Sequence, residues 1–531
     1  MHKPSLSLCA IPQTGLAGLK EHWRSDLLSG SLVFLIALPL CLGVSVASGV
    51  PPSAGIITAI IGGMLVSRIS GSYLTINGPA AGLIVVVLAA VQILGEGDAL
   101  AGYRYTLAAI VVASVLQILM GVYKMGQLSS FFPTSVVHGM LAAIGIIIIA
   151  TQTHVMLGVT PEPGSLFSII AQIPHSFATS NMDCLFIGFI GLLILVIWPL
   201  IGSKIPAPVI VVLVGMVFAW HFDFQEIAIN GSNYLINIPD NFLAGFYFPD
   251  FSKITTLAFW EAVLSISLIG SLESLLVTTA VDKLDPYKRS SDLDRDLTAV
   301  GIGNLVASLI GGLPMIAEIV RSSENVHNGA KTAWANFFHG LLLLLFVVLF
   351  VGLIQSIPLA SLAALLIYTG YRLASPKTFA SVRDVGKDQL FSFVITIIGV
   401  LATDLLIGVI LGIIAKLAIN VMRGVWLGNL FKINFTIQPH NDALVITLLG
   451  SALFSNFLPL KKALGKLEPG KTIIFDLTNG YLIDHTVMGF IHDYQQNYEA
   501  QGGHCRQVGN ALETFSDHVL AARLMTPDDR K

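Results

Sequence analysis

The chain is dominated by long apolar runs that hold almost no charge. Four of the clearest cover residues 32–47, 107–122, 185–202 and 340–354. At about 1.5 Å per residue, such runs and the small residues that flank them reach across about 30 Å of hydrocarbon. Of all residues, 54% are hydrophobic and only 11% are charged, unlike the composition of a soluble domain. The sequence therefore predicts an α-helical polytopic membrane protein.

The apolar segments give about fourteen candidate spans. They lie near residues 30–47, 54–69, 79–94, 104–122, 134–152, 184–202, 206–221, 257–281, 297–311, 319–333, 335–354, 358–373, 389–402 and 404–422. Lysine and arginine are concentrated in the connections after even-numbered spans, whereas the odd-numbered connections hold little beyond Arg104 and Lys253. By the positive-inside rule, this bias predicts a multi-pass protein of the cell (inner) membrane with both termini in the cytoplasm.

The composition divides the chain into three parts. Residues 1–25 are charged and contain two prolines, which predicts a cytoplasmic N-terminal segment rather than a cleaved signal. Residues 26–424 form the predicted transmembrane domain. Strand-like runs at 443–449 and 472–477 then alternate with helical runs at 458–467 and 486–496, so a small cytoplasmic α/β domain is expected over 434–526.

Several function classes find no support in the sequence. The net charge is −3 and no basic stripe with interleaved aromatics appears, so no nucleic-acid partner is expected. Cys9, Cys41, Cys184 and Cys505 stand far apart, which suggests neither disulfides nor a zinc site. A Ser–His–Asp arrangement, a phosphate-binding glycine loop and HExxH are all missing, and we therefore predict no enzyme, no cofactor and no metal site.

Two segments interrupt the apolar pattern at matching places. The third span begins "GSYLTINGPAAGL" and the tenth begins "GGLPMIAEIVRSS", and each has glycine, a β-favouring stretch and a proline before its helical part. A pair of short, Gly/Pro-interrupted segments in corresponding halves is typical of an inverted-repeat transporter that holds its substrate near the midplane. The halves would be spans one to seven and eight to fourteen.

The two interrupted segments carry a predicted anion site. A half-helix N-terminus inside the bilayer presents free N–H groups and the positive end of a dipole, which favour an anion. The small residues around Gly78–Ala81 would let a ligand approach the backbone, while Arg321 adds a fixed charge beside Ser322 and Ser323. The alternative is that Arg321 forms a structural ion pair with Glu318 or Glu324.

Glu273 is a second charge inside an apolar segment, "ISLIGSLESLLVTTAVDKLD". A carboxylate there is costly unless it is protonated, paired or facing water, which makes Glu273 a candidate coupling residue that takes up a proton with the substrate. The alternative is a neutral carboxyl that only packs against a neighbouring helix. Asp404, at the start of the last span, is expected to cap that helix.

The chain resembles the sulfate permease (SulP) family of anion transporters, to which prestin and pendrin belong. The matching elements are "ALPLCLGVSVASGVPPSAG", "GSYLTINGPAAG", "FFPTSVVHGM", "ESLLVTTAVDKLD", "RDLTAVGIGNLVASLIGGLP" and "RSSENVHNGAKT", in the order found in the family. Two later stretches, "DALVITLLGSALFSNFLPLKKAL" and "KTIIFDLTNGYLIDHTVMGF", resemble the first and central blocks of a STAS domain. The resemblance covers nearly the whole chain.

The resemblance implies a fold and a mechanism. The fold is a fourteen-span, seven-plus-seven inverted repeat as in the uracil permease, followed by a cytoplasmic STAS domain. Such proteins are commonly homodimers that carry sulfate, bicarbonate, chloride or dicarboxylates by an elevator-like motion. Carried over by residue, substrate binding would fall to Gly78, Pro79, Ala80, Ala81, Arg321 and Ser322, and coupling to Glu273.

Departures from the family pattern keep alternatives open. Val320 stands where members often have a hydroxyl residue, and Glu273 with Val277 replaces the Asp and hydroxyl of sodium-coupled bicarbonate members. In the STAS domain, Asp484–His485–Thr486 replaces Asp–Ser–Ser. We therefore expect proton-coupled symport of sulfate or bicarbonate. A sodium-coupled bicarbonate transporter, an exchanger or channel of the same fold, and a non-transporting STAS-linked scaffold are the alternatives.

Overall fold

A computed structural model describes residues 11–127, 132–161, 166–202, 205–225, 233–440, 443–467, 471–500, 502–509 and 512–525. The first ten residues of the N-terminal segment, including Cys9, lie outside the described residues. So do Phe131 of the FFPTSVVHGM motif and residue 526, the last of the predicted α/β domain.

The first part of the apolar region folds into a series of helices. In chain order they are α1 (Gly15–Ala47), α2 (Ser53–Ile61), α3 (Ile84–Gly95), α4 (Ala99–Val122), α5 (Thr134–Met156), α6 (Leu166–Ala178), α7 (Met182–Ile197) and α8 (Ala207–His221). A π-helical turn, Gly62–Val66, and a last turn, Ser67–Ile69, prolong α2. Strand β1 (Asn77–Pro79) and a 3-10 turn, Ala81–Leu83, precede α3.

The second part repeats the helical pattern. Its helices are α9 (Leu257–Leu284), α10 (Leu293–Leu309), α11 (Ile319–His327), α12 (Trp334–Leu349), α13 (Val351–Gln355), α14 (Leu359–Leu373), α15 (Pro376–Val385), α16 (Lys387–Ala402) and α17 (Leu405–Met422). Strand β2 (Met315–Ala317) precedes α11 as β1 precedes α3. Both interrupted segments therefore have the strand-then-helix form that the sequence predicts.

Each predicted span coincides with a helix or a pair of helices. Within the described ranges, six helices have the length and apolar composition to cross a membrane by themselves: α1, α4, α5, α7 with its extension to Ile201, α9 and α17. The tenth span is shorter than predicted, because α11 ends at His327 and Gly329 then adopts a φ of +81° that a helix does not allow. Helices α6 and α15 were not predicted as spans.

Polar side chains mark the starts of several helices. Asp98 accepts hydrogen bonds from the amides of Leu100 and Ala101 at the start of α4. Asp404 accepts one from the amide of Ile407, at 2.9 Å, at the start of α17. Such caps satisfy amides that a helix leaves unpaired at its N-terminus. The predicted capping role of Asp404 is confirmed.

The chain packs as two compact units. Unit 1 comprises Met1–Gly126 and Ile144–Arg372, and unit 2 comprises Gln127–Ala143 and Leu373–Lys531. A large apolar cluster in unit 1 joins buried residues such as Leu42, Ile56 and Leu343. The helices α15, α16 and α17 belong to unit 2 together with the C-terminal domain.

The C-terminal domain is an α/β sheet domain, as predicted. Its strands are β3 (Asn434–His440), β4 (Ala443–Ala452), β5 (Thr472–Asp476), β6 (Gly480–Ile483), β7 (His504–Val508), β8 (Leu512–Thr514) and β9 (Arg523–Met525). The sheet order is β7-β5-β4-β6-β9-β8, with β3 antiparallel to β4 and a parallel centre. Helices α18 (Leu458–Leu464) and α19 (His485–Ala500) contribute Leu460, Val487 and Ile491 to its core. This architecture is consistent with a STAS domain.

Asp484 of the Asp484–His485–Thr486 stretch is a structural residue of this domain. It is buried, and its carboxylate accepts hydrogen bonds from the amides of Val487, at 2.9 Å, and Phe454, at 2.6 Å. Burial raises the pKa of the Asp484 carboxyl above its usual value. The carboxyl therefore ties the start of α19 to the chain that follows β4.

Candidate functional site

The two interrupted segments meet through their strands, inside unit 1. Strands β1 and β2 pair antiparallel, with Asn77 opposite Ala317 and Pro79 opposite Met315. The amide of Ala80 donates to the carbonyl of Pro314 at 3.2 Å, which extends the pairing by one residue. Since a helix follows each strand directly, the N-termini of the two short helices lie close to the same pair of strands.

Strand β2 is held in place by polar side chains of neighbouring helices. Asn304 of α10 makes two bonds to Met315: its Oδ1 accepts from the Met315 amide at 2.6 Å and its Nδ2 donates to the Met315 carbonyl at 3.3 Å. Ser274 of α9 accepts from the amide of Ala317 at 3.2 Å. These bonds satisfy backbone groups that a two-stranded pair leaves open on its outer edge.

Arg321 lies beside Gly78, and both were predicted as site residues. The Arg321 side chain is 1% exposed. A Cβ atom at Gly78 would collide with its Nη1, so only glycine leaves room for the guanidinium at this point of β1. In the described chain, Nε and Nη1 of Arg321 have no hydrogen-bond partner, and no ion pair joins Arg321 to Glu318 or Glu324. The structural ion pair considered as an alternative is therefore not formed here.

Ser322 and the small residues after Gly78 lie next to the guanidinium of Arg321. Some of their backbone amides are already hydrogen-bonded within the protein. The hydroxyl oxygen of Ser322 accepts from the amide of Ile76 at 2.9 Å, which leaves its hydrogen able to donate elsewhere. The amide of Ala80 is bonded to Pro314, and Pro79 has no amide hydrogen. The amide of Ala81 donates to Oε1 of Glu318 at 3.2 Å.

Glu273 reaches the same helix start from α9. Its side chain is 9% exposed, and a Cβ atom at Gly82 would collide with both of its carboxyl oxygens. Its Oε2 has no hydrogen-bond partner among the residues that the structure describes. The structure thus brings Glu273 to the residue that follows Ala81, within the predicted site.

Several polar residues near the site were not predicted from the sequence as site residues. Glu318 was considered only as a partner of Arg321, yet it bonds Ala81. Asn77 and Asn336 are buried and share one bond, from Asn336 Nδ2 to Asn77 Oδ1 at 3.1 Å. The asparagines carry no charge that would mark them in a sequence, and the contact of Glu318 depends on the register of β1 with β2.

The described residues of the site offer hydrogen-bond donors to an anion. The described residues contain no group of three or more His, Cys, Asp or Glu side chains that could hold a metal ion. Where the two segments cross, they present the buried guanidinium of Arg321 and the hydroxyl of Ser322. The carboxyl groups of Glu273 and Glu318 lie at the same place and can gain or lose protons. Such an arrangement can bind an anion and exchange protons.

Comparisons with known proteins agree with this architecture. The model of the sulfate permease family matches residues 23–397. A putative sulfate transporter of Bacillus subtilis, YvdB, is 28% identical over 389 residues, 73% of this chain and 71% of that protein. The bicarbonate transporter BicA of Picosynechococcus sp. is 26% identical over 364 residues, 66% of this chain and 62% of that protein.

Solved structures show the same fold. The transmembrane domain of a cyanobacterial bicarbonate transporter BicA superposes with a TM-score of 0.64 at 21% identity, over 74% of this chain and 97% of that one. The structure of SLC26A9 superposes with a TM-score of 0.68 at 14% identity, over 92% of this chain and 84% of that one. With a family model that matches most of the chain, the protein belongs to the sulfate permease family of membrane anion transporters.

Proposed function

We propose that the chain is a secondary active transporter of a small inorganic anion, with sulfate and bicarbonate as the first candidates. The observation that carries this proposal is the buried guanidinium of Arg321, which faces Gly78 and has two unpartnered nitrogens within the described structure. Buried N–H donors without acceptors are costly, and an anion that accepts from these two nitrogens would offset that cost. The names of the relatives, a sulfate and a bicarbonate transporter, support the same substrate class.

Glu273 is the proposed coupling residue, and the proton is the proposed coupling ion. An ionised carboxylate with an unpartnered buried oxygen is costly in an apolar helix, whereas the neutral acid can move with the substrate. Glu273 takes a proton on the side where the anion enters and releases it where the site opens to the cytoplasm. Sodium is the alternative ion, and the experiment below separates the two.

The remaining features of the proposal follow the family resemblance. Residues 26–424 are the transport domain and residues 434–526 the STAS domain, with both termini in the cytoplasm and the spans in the inner membrane. Gly78, Pro79, Ala80, Ala81 and Ser322 join Arg321 in binding the substrate. We also propose an elevator-like motion and a homodimer. An elevator-like motion requires that the residues of the binding site move together. All the proposed site residues belong to unit 1, which is compatible with this requirement.

Transport by purified protein in liposomes tests the proposal. Uptake of sulfate, bicarbonate and chloride is measured with an imposed inward gradient of protons, of sodium or of neither. Accumulation of one anion under the proton gradient alone is the expected result. Glu273→Gln, which mimics the protonated acid, should still exchange anion for anion but accumulate clearly less anion than the wild type under the proton gradient.

Glu261→Gln is the matched control, because Glu261 lies on the same helix, α9, and is exposed. Its uptake should equal that of the wild type. Proton-driven accumulation by Glu273→Gln equal to that of the wild type would remove Glu273 from the coupling role. A wild type that needs sodium and ignores pH would refute proton coupling and make Glu273 a candidate sodium ligand. A chain that moves none of the three anions would refute transport of this substrate class.

A further inference from the structure

A second carboxyl group occupies the helix start where a substrate anion would bind. Glu318 is the residue between β2 and α11, and its Oε1 accepts a hydrogen bond from the amide of Ala81 at 3.2 Å. The strand pairing fixes this contact, since the amide of Glu318 donates to the carbonyl of Ile76 at 2.8 Å and Asn77 lies opposite Ala317. The residue that directly precedes α11 thus caps the 3-10 turn that leads into α3.

Glu273 contacts the next residue of the same helix start. Its carboxyl lies where a side chain at Gly82 would be, directly after the Ala81 amide that Glu318 holds. Two carboxyl groups from different helices therefore meet at successive residues of one N-terminus. An N-terminus favours one negative charge, but two carboxylates there repel each other as well as any incoming anion.

The charges around Glu318 can be counted from every element that packs against it. Arg321 lies on its own helix, Glu273 on α9 and the Cys41 thiol on α1, and all three interact with it electrostatically. His339 on α12 lies near Arg321. With His339 neutral and both carboxyls ionised, the site has a net charge of about −1, and with both protonated about +1, from the charges that these side chains carry.

We propose that Glu318 is a second coupling carboxyl: as a carboxylate it acts as a tethered anion on the Ala81 amide, and it must be protonated before a substrate anion binds there. This inference rests on the proposed function. The proton comes from the aqueous side that the site faces, resides on a carboxyl oxygen of Glu318 while the anion is bound, and returns to water when the anion leaves. Anion binding then takes up protons on both Glu273 and Glu318.

Binding measurements on the purified full-length protein test this inference. Sulfate, and separately bicarbonate corrected for its own titration, is titrated calorimetrically between pH 6 and 8.5 in buffers of different ionisation enthalpy, which yields the number of protons taken up per anion. In Glu318→Gln this number should fall by about one at the pH where wild-type uptake is largest. At pH values above the pKa of Glu318, wild-type affinity should fall about tenfold per pH unit because binding requires the protonated acid. The Gln variant does not titrate there, so its advantage in affinity over the wild type should grow by the same factor.

Matched variants separate charge from structure. The Gln side chain at 318 keeps an oxygen that can accept from Ala81, so the local fold has the same hydrogen bond available. Glu324→Gln makes the same chemical change later on α11 and should bind as the wild type does. Glu318→Asp retains a titratable group and should keep the wild-type proton uptake. Glu273→Gln combined with Glu318→Gln should bind the anion with almost no proton uptake.

The outcomes distinguish this inference from the function on which it rests. Suppose the wild type binds the anion with proton uptake, Glu273→Gln removes this uptake, and Glu318→Gln leaves it unchanged. That result would overturn the role of Glu318 and leave the proposed function standing. A wild type that binds neither anion at any pH would refute the proposed function. If Glu318→Gln does not fold, infrared difference spectra of the wild type on sulfate addition must show two newly protonated carboxyls, and a single one overturns the inference.

Discussion

The guanidinium of Arg321 is placed where positive charge is already concentrated. Two helix N-termini lie close to the β1–β2 pair, and each presents the positive end of a dipole. A buried cation beside them is unfavourable unless negative charge comes with it. Glu318 and Glu273 supply that charge from within the chain, and a substrate anion would supply it from outside. Competition between these anions follows from the geometry.

Loss of the Arg321 charge should therefore abolish most anion binding. Arg321→Ala removes a charge-assisted donor, and we expect affinity to fall roughly hundredfold, about 2–3 kcal/mol. Arg321→Lys keeps the charge without the planar fork and should retain part of the affinity. Calorimetric titration of purified variants measures both, with the exposed Arg372 of unit 1 changed to alanine as control. Unchanged affinity in Arg321→Ala would exclude Arg321 from the site.

The residues that could be predicted from sequence are those whose chemistry conflicts with their surroundings. Arg321 and Glu273 are charges inside apolar segments, and Gly78 belongs to a Gly/Pro interruption, so each stands out in the sequence itself. The contact between Glu318 and Ala81 cannot be recognised in the sequence, because the register of two strands brings together residues that are distant in the chain. Burial and hydropathy do not encode that register.

At the scale of elements, the site depends on how β2 is held rather than on the helices alone. The sequence predicted where helices occur, since apolar runs and caps such as Asp404 are local signals. It did not predict that Asn304 would fix β2 by two hydrogen bonds to Met315. Asn304 in turn donates to Gln117 of α4 at 2.8 Å, so three elements are joined at one amide side chain.

Asn304→Ala should weaken the fold and the site together. It leaves the amide and carbonyl of Met315 without partners in a buried region, at a cost of about 2–3 kcal/mol. We expect a lower melting temperature and weaker anion binding, measured by thermal unfolding in detergent and by calorimetric titration. Ser308→Ala is the control: Ser308 lies on the same helix, is buried and bonds only carbonyls of α10, at Asn304 and Leu305. Equal melting and affinity in both variants would contradict this role of Asn304.

At the scale of the whole molecule, the proposed site and the α/β domain belong to different units. Gly78, Glu273 and Arg321 lie in unit 1, whereas the α/β domain lies in unit 2 with the last membrane helices. Within unit 2, Tyr481 donates its hydroxyl hydrogen to the carbonyl of Arg423 at 2.8 Å, and Ser516 donates to that of Val385 at 2.9 Å. The sequence placed a boundary at residue 424, where composition changes, but composition does not report such bonds.

Removal of residues 431–531 should therefore reduce stability without changing substrate preference. The truncated chain loses the partners of Arg423 and Val385 in unit 2, so we expect lower yield in the membrane and a lower melting temperature. The relative uptake of sulfate, bicarbonate and chloride should stay as in the full chain, because every proposed binding residue remains. Liposome uptake normalised to the amount of inserted protein measures this ranking, and a chain that lacks only residues 526–531 serves as control. A different order of preference in the truncated protein would show that the α/β domain takes part in selecting the anion.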